Sequence, residues 1–219
     1  MKSLFPRLLM IASLLLAGGA HAEAQLGRDY TLLATPQPTA SGKIEVLEFF
    51  FYECGHCYHL HPFLSKWEKT KASDVEISFV PTMFRSSTEP LARTYYALQG
   101  MGQIDRMDDL IYKAIHEQQV GLYDVDSIGA FLAKNGVDRN AFVSAYDSFS
   151  VLNKVNRAKQ MILPGNYNIE GTPTLIVDGR YVVISKMQPA DTIRVLDEVI
   201  AMVRKSRGAA APTSKNKKH

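Results

Sequence analysis

Ile44-Glu-Val-Leu-Glu-Phe-Phe-Phe-Tyr52, followed at once by Glu53-Cys54-Gly55-His56-Cys57, is the stretch on which the fold turns. Its length and its β-branched and aromatic content predict a central strand covered on both faces, which reads as a near-continuous apolar run. The period then changes. Leu60, Phe63, Leu64 and Trp67 recur at i, i+3, i+4 and i+7, the apolar stripe of a helix over residues 54–70. Pro62 falls inside that stripe and is expected to kink the helix rather than end it. Val75-Glu-Ile-Ser-Phe-Val80 predicts a second strand, closed by Pro81. Strand, helix and strand in that order favour a parallel pair with a right-handed crossover.

Outward from this unit, residues 23–42 read as an extended lead-in with one strand near Tyr30–Leu33. From about residue 85 to 165 the pattern is helical. One helix opens at Pro90. Ile104, Met107, Ile111 and Ile115 mark the next, and Ile128, Phe131 and Leu132 a third, stopped by Asn135-Gly136. Asp138 is the N-cap of a fourth. A fifth runs from about Phe149 to Ile162. Strands return at Thr174–Val177 and Arg180–Val183, joined through Asp178-Gly179, a strong two-residue hairpin signal because both central residues need positive φ. A last amphipathic helix spans residues 189–205. The hairpin adds antiparallel strands, so the sheet is expected to be mixed.

The chain has 219 residues, 46% hydrophobic and 21% charged. These are ordinary globular values and exclude collagen-like, coiled-coil and disordered readings. The N-terminus is a targeting segment. Lys2 and Arg7 precede an apolar run, Leu8–Ala17, and Ala20-His21-Ala22 supplies a small-x-small cleavage pattern. Ten apolar residues fall short of the roughly 20 needed to cross a bilayer. Residues 1–22 are therefore expected to be a cleaved signal peptide, which places the mature chain in an oxidising compartment. The net charge of +3 is misleading. Residues 23–203 carry −5, and six basic residues with no acid lie between Arg204 and the C-terminus. An acidic body argues against a nucleic-acid surface. Residues 206–219 read as a basic, solvated, disordered tail.

Only two cysteines are present, Cys54 and Cys57, so a disulfide-dense scaffold is excluded. Both sit where the first buried strand meets its helix. There, unpaired backbone N–H groups and the positive end of the helix dipole favour a thiolate over a thiol. Cys54 is thus expected to be acidic, and Cys57, one turn on, less accessible. Three readings of the pair compete. A structural disulfide would close so small a loop that it is a poor staple. Zinc would have His56, His59 and His61 nearby, but a structural site usually takes a second ligand pair from elsewhere, and none has that spacing here. Redox chemistry needs only the two cysteines and the helix end. Tyr58 after Cys57 excludes a c-type haem site. Gly171-Thr172-Pro173-Thr174 precedes the hairpin. Taken alone it reads as an ordinary trans proline entering a strand.

Together, Glu45-Val-Leu-Glu-Phe-Phe50, Cys54-Gly-His-Cys57-Tyr58, Gly171-Thr-Pro173 and Val177-Asp-Gly-Arg-Tyr181 resemble the periplasmic thiol:disulfide interchange proteins of the DsbA type. The resemblance covers about residues 25–205. It implies an α/β thioredoxin fold, a mixed central sheet flanked by helices, over residues 23–84 and 164–205. Residues 85–163 would form the family's inserted helical domain. The implied activity is donation of the Cys54–Cys57 disulfide to folding secreted proteins. The alternative on the same fold is a disulfide isomerase or reductant, but dimeric isomerases carry an extra N-terminal domain, and only some 20 residues separate Ala22 from the first central strand. A secreted metal- or peptide-binding module is the non-enzymatic alternative.

The resemblance also implies roles. Cys54 is the exposed nucleophile, Cys57 its buried partner, and His56 a stabiliser of the Cys54 thiolate. Thr172 and a cis-Pro173 pack against the disulfide and pair with substrate. Glu48 matches a buried strand acid that handles a proton, though the residue alone reads equally as a partly exposed strand carboxylate. Glu53 would oppose the thiolate unless it points to solvent. Gly55 stands where the best-known members carry proline. No cofactor or metal is implied. The implied partners are reduced, unfolded secreted proteins and the membrane quinone reductase DsbB, with the chain a monomer in the periplasm.

Overall fold

The computed structural model describes residues 23–39, 42–184 and 188–210. The expected signal peptide and residues 211–219 of the expected tail lie outside these.

The run at 44–52 forms β2 (Ile44–Phe50), the strand next to the edge of a five-stranded sheet. With β1 (Tyr30–Leu32), β3 (Val75–Pro81), β4 (Thr174–Val177) and β5 (Tyr181–Val183), the order is β1-β5-β4-β2-β3. β2 and β3 are parallel, with Glu48 opposite Phe79. β2 and β4 are antiparallel, with Glu48 opposite Leu175. β4 and β5 are antiparallel as well and are joined by a tight turn, whereas a helical crossover joins the parallel β2 and β3.

Both faces of β2 are covered, which is why its apolar run is near-continuous. Ile44 and Val46 pack with Leu60, Leu64 and Trp67 of α1 (Gly55–Thr70) and with Val195, Leu196, Val199 and Ile200 of α7 (Pro189–Ala210). Leu47 and Phe49 face the helical block. Burying each such side chain contributes about 1.5–3 kcal/mol. The Trp67 indole N–H donates to Asp197 at 2.8 Å and fixes α1 against α7. Pro62 lies within α1, which runs through it to Thr70.

Five helices form the block between β3 and β4: α2 (Glu89–Gly100), α3 (Ile104–His116), α4 (Val125–Lys134), α5 (Arg139–Tyr146) and α6 (Phe149–Met161). Local chemistry sets their ends. Asp138 caps α5 by accepting from the Ala141 N–H at 2.7 Å, and Gly136 takes a φ of +80° just after α4.

Two boundaries differ from expectation. Asp178 and Gly179 have φ of +55° and +60°, as expected, but the ladder pairs Val177 with Tyr181, so three residues join β4 and β5 rather than two. Arg180 is the extra residue, its N–H closing the turn on the Val177 carbonyl. Glycine is required at 179 by that φ and because a Cβ would lie 2.1 Å from the Gln37 carbonyl oxygen. The second difference is at the C-terminus. α7 continues to Ala210, so residues 206–210 are helical rather than part of a disordered tail. The reason is acidic partners that composition does not reveal. Arg204 makes a two-pronged pair with Asp74 at 2.6 and 2.9 Å, and Arg207 bonds Asp178.

Candidate active site

The chain leaves β2 through Phe51, Tyr52 and Glu53 and turns directly into α1. The Cys54 N–H closes this turn on the Phe51 carbonyl at 3.0 Å. Cys54 has extended backbone dihedrals and is the N-cap of α1, its sulfur accepting from the Cys57 N–H at 3.3 Å. A capping oxygen is thus replaced by sulfur, the atom that gains most from the positive helix end once ionised. Both cysteines are free thiols. Cys57 is fully buried, and Cys54 is only 8% exposed, less open than the family likeness implies.

A segment 118 residues away completes the site. The Cys54 Sγ lies 3.5 Å from the Thr172 carbonyl oxygen, and the Thr172–Pro173 peptide is cis, with Pro173 buried. The ordinary trans reading of that proline is corrected. The Thr172 hydroxyl is buried and has no hydrogen-bond partner among the described residues.

The two sulfurs are driven apart in acidity. A hydrogen bond from Cys57 pulls the Cys54 thiol down to about 5; burial opposes this, while Thr172 and the main-chain N–H groups of Cys57 and His56 assist. Burial pushes the Cys57 thiol far up, and the Cys54 and Glu48 charges add to it. His56 acts here through its main chain. Its imidazole is exposed and makes no hydrogen bond among the described residues. Burial raises the Glu53 carboxyl, with nearby Arg85 and His116 pulling the other way.

Glu48 is 3% exposed, which decides between its two readings in favour of the buried one. On the same face of β2 as Ile44 and Val46, it lies beneath α1. Burial holds its carboxyl well above the usual range, and the charges of Asp108 and Cys54 reinforce this. Burial disfavours the charged form, so this environment favours a proton on the Glu48 carboxyl.

Sequence reasoning missed the polar groups beside Glu48. The Tyr52 hydroxyl bonds Asp108 of α3. The His61 ring sits between two carboxylates, 2.7 Å from Asp109 and 3.6 Å from Asp108. His61, Asp108 and Asp109 line a cavity of about 550 Å³ with Glu68, Phe79 and Tyr95. Tyr58 donates to Glu117 at 2.6 Å and stacks on His116 at 4.6 Å, and His116 in turn bonds the Tyr52 carbonyl at 2.7 Å. This seam fastens the active-site helix to the helical block. Nothing local signals these contacts, because the partners are 48 to 64 residues apart. Tyr95, Tyr96 and Met107 are core residues, as their spacing indicates. Among the described residues no group of three or more His, Cys, Asp or Glu side chains is placed to hold a metal, and no helix is long and apolar enough to cross a membrane.

Comparison with known proteins gives the same result as the geometry. The DSBA-like thioredoxin domain family matches residues 59–201. The Thiol:disulfide interchange protein DsbA of Burkholderia cepacia is 35% identical over 214 residues, covering 93% of this chain and 98% of its own. Its namesake in Bordetella parapertussis is 37% identical over 207 residues, covering 92% and 98%. The crystal structure of Pseudomonas aeruginosa DsbA superposes with a TM-score of 0.79 at 30% identity, over 84% of this chain and 96% of that one. DsbA from Xylella fastidiosa gives 0.74 at 33% identity, over 81% and 96%. The fold is therefore thioredoxin-like with a helical insertion, the chemistry is thiol–disulfide exchange, and the chain belongs to the DsbA-like thioredoxin family of thiol:disulfide oxidoreductases.

Proposed function

We propose that this protein is a dithiol oxidase that donates the Cys54–Cys57 disulfide to reduced, unfolded secreted proteins in the periplasm, after removal of residues 1–22. The observation that carries this reading is the split between the two thiols, Cys54 drawn down to about 5 and Cys57 pushed up. The better leaving thiolate is the one that departs from a mixed disulfide.

In the first step a substrate thiolate attacks the Cys54 Sγ. The Cys54–Cys57 bond breaks, and its electron pair goes to the Cys57 Sγ. A thiolate there is strongly disfavoured, so it takes a proton, and buried Glu48 is the group placed to supply one. In the second step another substrate thiolate attacks the substrate sulfur of the mixed disulfide, and Cys54 leaves as a thiolate. The substrate loses two electrons and two protons. The cysteine pair gains two electrons and one proton, passed to Cys57 by Glu48, which is reprotonated from solvent, and the substrate's other proton stays in solvent. The Thr172 hydroxyl and the N–H groups of His56 and Cys57 stabilise the departing Cys54 sulfur, and Thr172 with Pro173 aligns the substrate chain beside it. The protein acts as a monomer without a bound cofactor, and the membrane quinone reductase DsbB returns it to the disulfide form.

The test is a single-turnover mixing of the oxidised protein with a reduced, unfolded protein bearing two cysteines, quenched with acid and counted by mass. One disulfide should pass to the substrate per molecule. A substrate that stays reduced while the protein keeps its disulfide contradicts the reading in favour of the reductant. In the same assay Glu48→Gln should slow transfer by at least about tenfold, since general acid help is worth that much or more. An unchanged rate would remove Glu48 from the mechanism.

A further inference from the structure

Beside the cysteines, on the side of the helical block, lies a pocket of about 230 Å³ that the exchange chemistry does not use. This is below the roughly 300 Å³ at which small-molecule sites begin, and is the size for one side chain. Its walls are apolar: Leu91 of α2, Ile115 of α3, and Val120, Leu122 and Tyr123 from the segment joining α3 to α4. That segment is held in shape. The Val120 N–H bonds the Ala114 carbonyl at 2.8 Å, and the Tyr123 N–H bonds the Ser127 hydroxyl at 3.1 Å. The Tyr123 ring folds back over Gly121, where a Cβ would meet it at 2.6 Å. Gln119 completes the rim.

One charged residue lines this pocket, Glu53, the chain neighbour of Cys54. An occupant that pairs with Glu53 therefore lies one residue along the chain from the reacting cysteine. The charged groups that reach Glu53 are Arg85, His116 and Cys54 itself. None of them forms an ion pair with it. Arg85 has no salt bridge or side-chain hydrogen bond among the described residues, and His116 is committed to Tyr52 and Tyr58. An apolar sleeve ending in one unpaired carboxylate matches one kind of protein side chain, an aliphatic stem with a cationic tip.

We propose that this pocket is a substrate subsite that takes a lysine or arginine flanking the reacting cysteine, with Glu53 as its specificity-determining residue. The occupant's charge also neutralises Glu53, which otherwise opposes the Cys54 thiolate as it leaves. The proposal rests on Cys54 being the sulfur attacked.

The test uses the oxidised full-length protein and short peptides with one cysteine, differing only in the residues flanking it: lysine, norleucine, glutamine or glutamate. Norleucine keeps the lysine stem and removes its charge. Each rate is divided by the rate of the same peptide with glutathione disulfide, which cancels the effect of the flanking charge on the peptide thiol. Lysine should exceed norleucine by about three- to fivefold, the range of a partly exposed ion pair, and glutamate should be slowest. Glu53→Gln should bring lysine down to norleucine while leaving norleucine above glutamine-flanked peptide, since the apolar walls persist. Equal corrected rates for lysine and norleucine in the natural protein would overturn the subsite. So would a lysine preference that survives Glu53→Gln. Mass mapping of the quenched mixed disulfide separates the two failures: peptide attached to Cys57 refutes the site assignment, and peptide attached to Cys54 with no preference refutes the pocket alone.

Discussion

Cys54→Ser should abolish exchange, lowering the rate by on the order of ten-thousandfold, the scale seen when a covalent nucleophile is lost. Cys57 cannot take over, because its sulfur is fully buried and burial pushes its acidity far out of range. Cys57→Ser should fail differently. Cys54 keeps its place at the helix end, so the variant still attacks a disulfide-bearing substrate. It then lacks the second thiol to release the product, and a covalent complex accumulates. Mass spectrometry after acid quench reads both outcomes. Residual turnover in Cys54→Ser, or substrate attached to Cys57 in the natural protein, would contradict the assignment of the two sulfurs.

The second large effect is a pH-dependent difference in stability between the reduced and oxidised forms. In the reduced protein the Cys54 thiol is drawn down to about 5, against an ordinary value of about 8.5 in the unfolded chain. A depressed pKa contributes stability that is complete above the unfolded value and is lost as pH falls through the folded one. The oxidised protein has no thiol at this position. The reduced form should therefore gain on the oxidised form by about 2 kcal/mol between pH 4 and pH 7, after allowance for solvent screening at a partly open site. Cys57 stays neutral across this window and adds nothing. Glu48, Glu53 and Asp108 are present in both forms, so most of their titration cancels. Urea unfolding of both forms at several pH values measures the difference. A difference that does not change with pH would contradict the account, and Cys54→Ser should flatten it.

Much of the architecture was legible because it rests on local signals. The run at 44–52 is near-continuous because β2 is covered on both faces, and the period changes at Cys54 because one face of α1 packs on the sheet. Asp138 and the Asp178-Gly179 pair marked their cap and turn for reasons confined to a few residues. The bulged register after Asp178 was not legible, since it depends on where β5 meets β4. Nor was the length of α7, because Arg204 and Arg207 read as a solvated run until Asp74 and Asp178 are placed against them.

The site divides in the same way. Cys54 and Cys57 were visible as the start of a helix after a buried strand. Thr172 came only through family likeness, since no spacing rule joins it to a cysteine 118 residues away. Glu48 could not be placed from alternation, because every neighbour in its strand is apolar or half-buried. His61 stood only as a histidine near the cysteines, and only the packing of α3 on α1 shows it held between Asp108 and Asp109. His56 stood out by its place between the cysteines, and its main-chain N–H is one of the groups that draw the Cys54 thiol down.

The central claim is that the fold makes Cys54 a stable thiolate. The most direct measurement is the pH titration of thiolate absorbance near 240 nm in the reduced protein. The account expects one thiol to ionise with a midpoint near 5. A first thiolate appearing only near the ordinary value of about 8.5 would contradict it, and with it the reading of this protein as an oxidant.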